Sequence, residues 1–212
     1  MESPLRGTAP DDCRLIETMG RDGNAVRYLP FHLDRMAAGA EALGYPFDRA
    51  LAEELLSELP EGGRIRMTLG AEGDLSVTGG YLDPNPDQWR VMIAAERLQS
   101  DDPWLRVKST NRALYTRLRE VLPEGVDEYL CLNEKDEVCE GTITNIFITT
   151  AEGERLTPPV SSGLLPGVLR RHLLENGYEE RVLHLSDLVE AREIHFGNAL
   201  RGLIPAVLLP VA

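Results

Sequence analysis

Two lysines stand among 22 basic residues, and the other 20 are arginines. One of the two, Lys108, follows an apolar stretch in WLRVKSTNRALY, residues 104–115. An amine can lose its proton and attack a carbonyl, whereas a guanidinium stays protonated. Lys108 is therefore a candidate nucleophile or base; a lysine left over in an arginine-biased composition reads the same way from this feature alone. Three further stretches carry residue types that could serve such a lysine. Glu140 opens the run EGTITNIF (140–147) beside a glycine, as either a functional carboxylate or an exposed strand-edge residue. GLLPGVLRR (163–171) passes from Leu-Pro-Gly straight into a helical pattern. The first-turn N–H groups of a helix lack intrahelical acceptors and can cradle a phosphate, though a plain turn before a helix has the same signature. FGNALRG (196–202) is a glycine–asparagine turn after a strand, and Arg35 on an early helix is either an anion partner or a solvated arginine.

The elements that must position these residues are both strands and helices. A strand is expected in CRLIET (13–18), then a turn at Arg21–Asn24. A helix follows through HLDRMAAGAEALG, with Leu33, Met36, Ala37, Ala40 and Leu43 on one face and Gly44 as its stop. A second helix has Asp48 as N-cap and ends before Pro60. RIRMTLGAEGDLSVTGGYL and WRVMIAAER read as strands broken by glycine turns. The second half is expected to begin with a strand leading into Lys108, then a helix in NRALYTRLREVL. A hairpin turning at Asn133–Asp136, a strand in TITNIFITT, a helix from Pro166 to Gly177 and a last strand pair complete it. Without strict β-α alternation, the fold class is α+β. The predicted division is a small N-terminal α/β domain (1–99), a linker (100–103) and a larger C-terminal domain (104–212) carrying the lysine.

A chain of 212 residues can bury a core of its own. A net charge of −13 argues against nucleic acid or an anionic membrane as main partner, but not against an anionic small molecule held by a few arginines. The start, MESPLRGTAPDD, has no apolar signal core, and the apolar LIPAVLLPVA is short and broken by proline. Cys13, Cys131 and Cys139 are odd in number and unpaired by spacing, which suits a reducing compartment and leaves a catalytic thiol open. No metal signature is visible. The expectation is a soluble cytoplasmic protein.

The order of the motifs is more specific than any one of them. IET, HLDR, the lysine, EGTITNIF, TPPVSSGLLPGVLR and GNALRGLIP follow one another between about Leu15 and Pro205. In this order they resemble the class IV aminotransferases, pyridoxal-phosphate enzymes of fold type IV that include branched-chain and D-amino-acid aminotransferases and 4-amino-4-deoxychorismate lyase. The resemblance implies a two-domain, D-amino-acid-aminotransferase-like architecture, with pyridoxal 5'-phosphate as cofactor. It implies that Lys108 forms the Schiff base and that Glu140 pairs with the pyridine nitrogen. Arg35, the backbone N–H groups of Val168 and Leu169, and the Asn198 side chain would hold the phosphate, and Leu165 would pack on a ring face. Arg66, in RIRMTL, sits where some relatives bind a substrate carboxylate. A homodimer acting on a small amino-group substrate is the expected assembly.

The chain departs from the family pattern at the front, where the N-terminal domain reads as shortened and Asp11 stands about where branched-chain enzymes place a substrate-binding tyrosine. Those enzymes also carry a tyrosine five residues after the lysine; here that position is Ala113, with Tyr115 on another face of the helix. Lys108-x-x-Asn111-Arg112 and the NALRGLIP ending are similar to the lyases instead, though D-amino-acid enzymes share the lysine-to-asparagine spacing. The resemblance therefore implies a lyase releasing p-aminobenzoate, a folate precursor, and pyruvate. An aminotransferase for branched-chain or D-amino acids with 2-oxoglutarate, and a non-catalytic cofactor-binding homologue, are the alternatives.

Overall fold

A computed structural model of the chain describes residues 5–23, 25–58 and 63–210. It divides into two compact units, Met1–Pro84 with Val107–Arg112, and Asn85–Arg106 with Ala113–Ala212.

The first unit contains β1 (Leu15–Asp22), β2 (Ala25–Val26), α1 (Leu29–Leu43), α2 (Arg49–Ser57), β3 (Arg64–Leu69) and β4 (Leu75–Gly80). Its sheet runs β2-β1-β3-β4 with antiparallel neighbours. In β3 the strand period of two sends Ile65, Met67 and Leu69 inward and Arg64 and Arg66 outward. Helix α1 buries Leu33, Met36, Ala40 and Leu43, the face read from the sequence apart from the half-buried Ala37. A Cβ on Gly39 would lie 3.0 Å from Leu15 Cδ2, so the missing side chain lets α1 lie close on β1. The helix stops at Gly44, whose φ of 77° suits glycine. Asp48 caps α2 by accepting from Leu51 N–H at 3.1 Å. Asn24 and Pro60, which mark an expected turn and helix end, lie outside the described residues.

The second unit contains β5 (Trp89–Leu98), α3 (Ala113–Glu120), β6 (Glu128–Asn133), β7 (Val138–Gly141), β8 (Asn145–Thr149), β9 (Arg155–Thr157), α4 (Val168–Leu174), β10 (Glu179–Glu180), α5 (Leu185–Glu190), β11 (Glu193–Asn198) and β12 (Gly202–Leu208). The sheet order is β10-β9-β8-β11-β12-β5-β6-β7, and β7 also pairs with β8 through Glu140 and Asn145. Six strands thus close on themselves, leaving no free edge among them. Val91, Leu130, Leu132, Ile146, Phe196 and Ile204 form part of its core. The β6–β7 hairpin turns where expected: Asn133 Oδ1 accepts from Lys135 and Glu137 N–H at 2.9 Å each.

Two expectations are corrected. No strand leads into Lys108. Pro103–Arg106 form a short 3-10 turn begun by Asp102 Oδ1, which accepts from Trp104 N–H at 2.9 Å. The boundary also falls elsewhere than residues 100–103. Strand β5 pairs in parallel with β6 and β12 and so belongs to the second unit, as does Ser100, tied to Glu134 at 2.6 Å. Lys108 belongs to the first unit, not to the later one, because its segment pairs with β1. Ile16 N–H donates to Lys108 O at 2.9 Å, Thr110 N–H to Arg14 O at 2.8 Å, and Ser109 bridges Leu15.

Candidate active site

The first unit carries three of the expected site residues. Lys108 is half-buried in the segment pinned to the start of β1, with backbone bonds on both sides of it. Arg35 projects from α1 onto Glu17 of β1 in a two-pronged pair, Nε to Oε1 at 2.8 Å and Nη2 to Oε2 at 2.7 Å. His32 lies three residues earlier on the same helix face, and its Nδ1 is 2.5 Å from Glu17 Oε2. Glu17 is 1% exposed and His32 0%. Burial pushes the Glu17 carboxyl up, but the Arg35 charge and the bonds from His32 and Arg35 outweigh it and bring it down to about 2. Arg66 stands exposed on β3, between Thr18 of β1 and Thr78 of β4. Neither Glu17 nor His32 stood out as a site residue in the sequence, although IET and HLDR contain them.

The second unit brings the remaining five together. Glu140, 6% exposed, is the next-to-last residue of β7 and accepts from Tyr115 O–H on Oε1 at 2.7 Å, and from Leu165 N–H at 3.1 Å and Asn145 Nδ2 at 3.4 Å on Oε2. Asn145 also donates to Leu165 O at 3.0 Å, so the carboxylate and the leucine are fixed by one amide. Leu165 itself is half-buried. Three residues on, Val168 and Leu169 form the buried first turn of α4. A Cβ on Gly197 would lie 2.9 Å from Leu169 Cδ2, which places this turn beside Asn198. The Asn198 side chain donates to Ile143 O at 3.1 Å and accepts from Arg201 N–H at 2.9 Å.

Tyr115, on a different helix face from Ala113, has its phenol directed to Glu140. Burial and the Glu140 charge push that phenol far above its ordinary range, so it stays protonated and donates. Burial and the same carboxylate raise the Cys131 and Cys139 thiols, which keeps them protonated and poorly nucleophilic.

A second buried carboxylate organises the turn after Glu140. Glu128, 0% exposed, accepts from Thr142 N–H at 3.0 Å, Ile143 N–H at 3.2 Å and Thr144 O–H at 3.0 Å, and from the Thr142 hydroxyl. Gly141 is glycine because a Cβ there would lie 2.9 Å from the Glu128 carboxyl carbon. This turn holds Asn198 through Ile143 O. Sequence reasoning missed Glu128, whose only signal is an acid at the start of an apolar strand.

A family model described as amino-transferase class IV matches residues 14–209. A Mesorhizobium loti structure named "Putative amino-acid aminotransferase" is 40% identical; the match covers 93% of this chain and all of that one, with a TM-score of 0.86. A Schizosaccharomyces pombe protein named "Putative aminodeoxychorismate lyase" is 28% identical over 94% of this chain and 91% of its own length. A hypothetical aminotransferase from Mycobacterium tuberculosis, solved in its pyridoxal-phosphate-bound form, is 21% identical with a TM-score of 0.77, covering 98% of this chain and 90% of that one. The α+β architecture is thus that of the fold type IV enzymes.

Proposed function

The chain belongs to the amino-transferase class IV family, and we propose that within it the chain acts as a 4-amino-4-deoxychorismate lyase, converting aminodeoxychorismate to p-aminobenzoate and pyruvate. Enzymes of this family depend on pyridoxal phosphate. The residues present suit that group: a buried carboxylate held by three donors, a half-buried leucine beside it, and a helix first turn next to an asparagine.

In this reading Lys108 would hold the cofactor covalently until the substrate amine takes its place, and Glu140 would keep a proton at the pyridine nitrogen. Leu165 covers a ring face. Arg35, the N–H groups of Val168 and Leu169, and Asn198 bind the phosphate. Bound pyridoxal phosphate supplies an electron sink for charge developing beside the substrate nitrogen. The Lys108 amine takes the proton from the substrate ring carbon that bears the amino group. Loss of the enolpyruvyl group then leaves an aromatic ring, and the enol takes up a proton to become pyruvate. Arg66 offers a planar fork to a substrate carboxylate.

Two observations support the lyase reading: the Lys108-x-x-Asn111-Arg112 pattern, and a similarity to the S. pombe protein that runs over nearly the whole of both chains. The likeness to the M. loti protein favours a second reading, amino transfer from a branched-chain or D-amino acid to 2-oxoglutarate by the same lysine. Aminodeoxychorismate supplied to the purified protein decides between them. Release of p-aminobenzoate and pyruvate in equal amounts, lost in Lys108→Ala, is the expected result. Glutamate formed from 2-oxoglutarate, with no p-aminobenzoate, would put the aminotransferase reading in its place. Failure of both reactions in a cofactor-loaded protein would favour the non-catalytic homologue. The protein in this reading is a cytoplasmic homodimer that makes a folate precursor; among the described residues no helix is long and apolar enough to cross a membrane.

A further inference from the structure

Arg35 reaches its place by a long side chain with several torsions, and a phosphate partner must present its fork in one orientation. The structure shows what fixes that orientation. Glu17 receives Nε and Nη2 on separate oxygens, at 2.8 and 2.7 Å, which sets both the direction and the plane of the guanidinium. The carboxylate is itself held by His32, whose Nδ1 lies 2.5 Å from Oε2. An ionised carboxylate only accepts, so that ring nitrogen carries the proton and donates it. Glu17 lies on β1 under α1, and His32 and Arg35 are three apart on the helix, so strand and helix together lock the pair.

We propose that Glu17 and His32 are positioning residues that aim the Arg35 guanidinium at the phosphate of the cofactor. This rests on the reading of Arg35 given above. Glu17 and His32 touch no substrate; they act through Arg35. The ordering of the long side chain is completed when the protein folds, so cofactor binding does not bear that cost.

The test compares two ligands on the whole chain freed of cofactor: pyridoxal phosphate, and pyridoxal, which has the same ring and aldehyde but no phosphate. The ratio of their dissociation constants reports the phosphate contacts and is insensitive to a general loss of stability. Glu17→Gln and His32→Gln are expected to lose roughly tenfold or more of the preference for pyridoxal phosphate, the scale of a charge-assisted contact. Pyridoxal binding stays within about twofold in both, because neither residue serves the ring in this account. Arg35→Lys, which keeps the charge but not the fork, is expected to lose as much. His32→Gln carries the test of positioning if Glu17→Gln does not fold. The positioning role is overturned if Arg35→Ala destroys the preference while the Glu17 and His32 variants keep it. If Arg35→Ala also keeps the preference, Arg35 does not bind the phosphate, and both the reading and the inference fall.

Discussion

The Glu17 carboxyl gives a prediction whose size follows from its surroundings. Its ordinary value is 4.5, and although burial alone would raise it, Arg35 and His32 hold it at about 2. A group depressed on folding contributes stability that is fully present above the unfolded value and is lost as pH falls toward the folded one. The gap between 4.5 and about 2 corresponds to about 3 kcal/mol, at about 1.4 kcal/mol per pH unit. About 2 kcal/mol of this should be gone by pH 3. The perturbation is Glu17→Gln, which keeps the shape and removes the titration. Urea unfolding of wild type and variant, followed by circular dichroism between pH 7 and pH 3, reads the difference in stability. That difference should be constant between about pH 6 and pH 7 and shrink below the ordinary 4.5. Repeating the pair in a His32→Asn background removes the imidazole contact to Glu17, and a smaller decline should remain because Arg35 still faces the carboxylate. A difference that stays level from pH 7 to pH 3 would refute the reasoning, since Glu17 would then gain nothing from being ionised beside Arg35.

Three further outcomes follow from other contacts. Tyr115→Phe removes the phenol that holds Glu140 at 2.7 Å and should weaken pyridoxal phosphate binding roughly tenfold in a spectroscopic titration, and should cost about 1–2 kcal/mol of stability because the buried carboxylate loses a donor. Glu128→Leu leaves the N–H groups of Thr142 and Ile143 without their buried acceptor and should destabilise the protein by about 3 kcal/mol or more in urea. Asp48→Ala removes the cap on Leu51 N–H and should cost about 1 kcal/mol in the same assay without altering cofactor binding.

Most of the elements were legible because local chemistry decides them. The apolar face of α1, the Asp48 cap and the Asn133 turn are written in residues a few positions apart. The path into Lys108 was misread because Trp104, Leu105 and Val107 look strand-like, whereas Pro103 and the Asp102 side chain start a tight turn. The unit boundary was misplaced for a different reason. β5 finds its partners β6 and β12 far along the chain, and no local signal carries such pairings. The expected site residues were named from the order of the motifs, while the groups that hold them in the structure were not. Glu17 meets His32 15 positions away and Glu128 meets Thr142 14 positions away, and Asn145 reaches 20 positions to Leu165. A single sequence shows an acid or an amide there, not its neighbours.

The central claim is that Lys108 carries the cofactor, and the chain has only one other lysine to compare with it, Lys135. The direct measurement is borohydride reduction of the protein with bound pyridoxal phosphate, then digestion and mass spectrometry to find the modified lysine. The account predicts a phosphopyridoxyl group on Lys108 at close to one per chain, absent from Lys108→Ala. A label on Lys135 instead, or no label in protein shown to be folded, would contradict it.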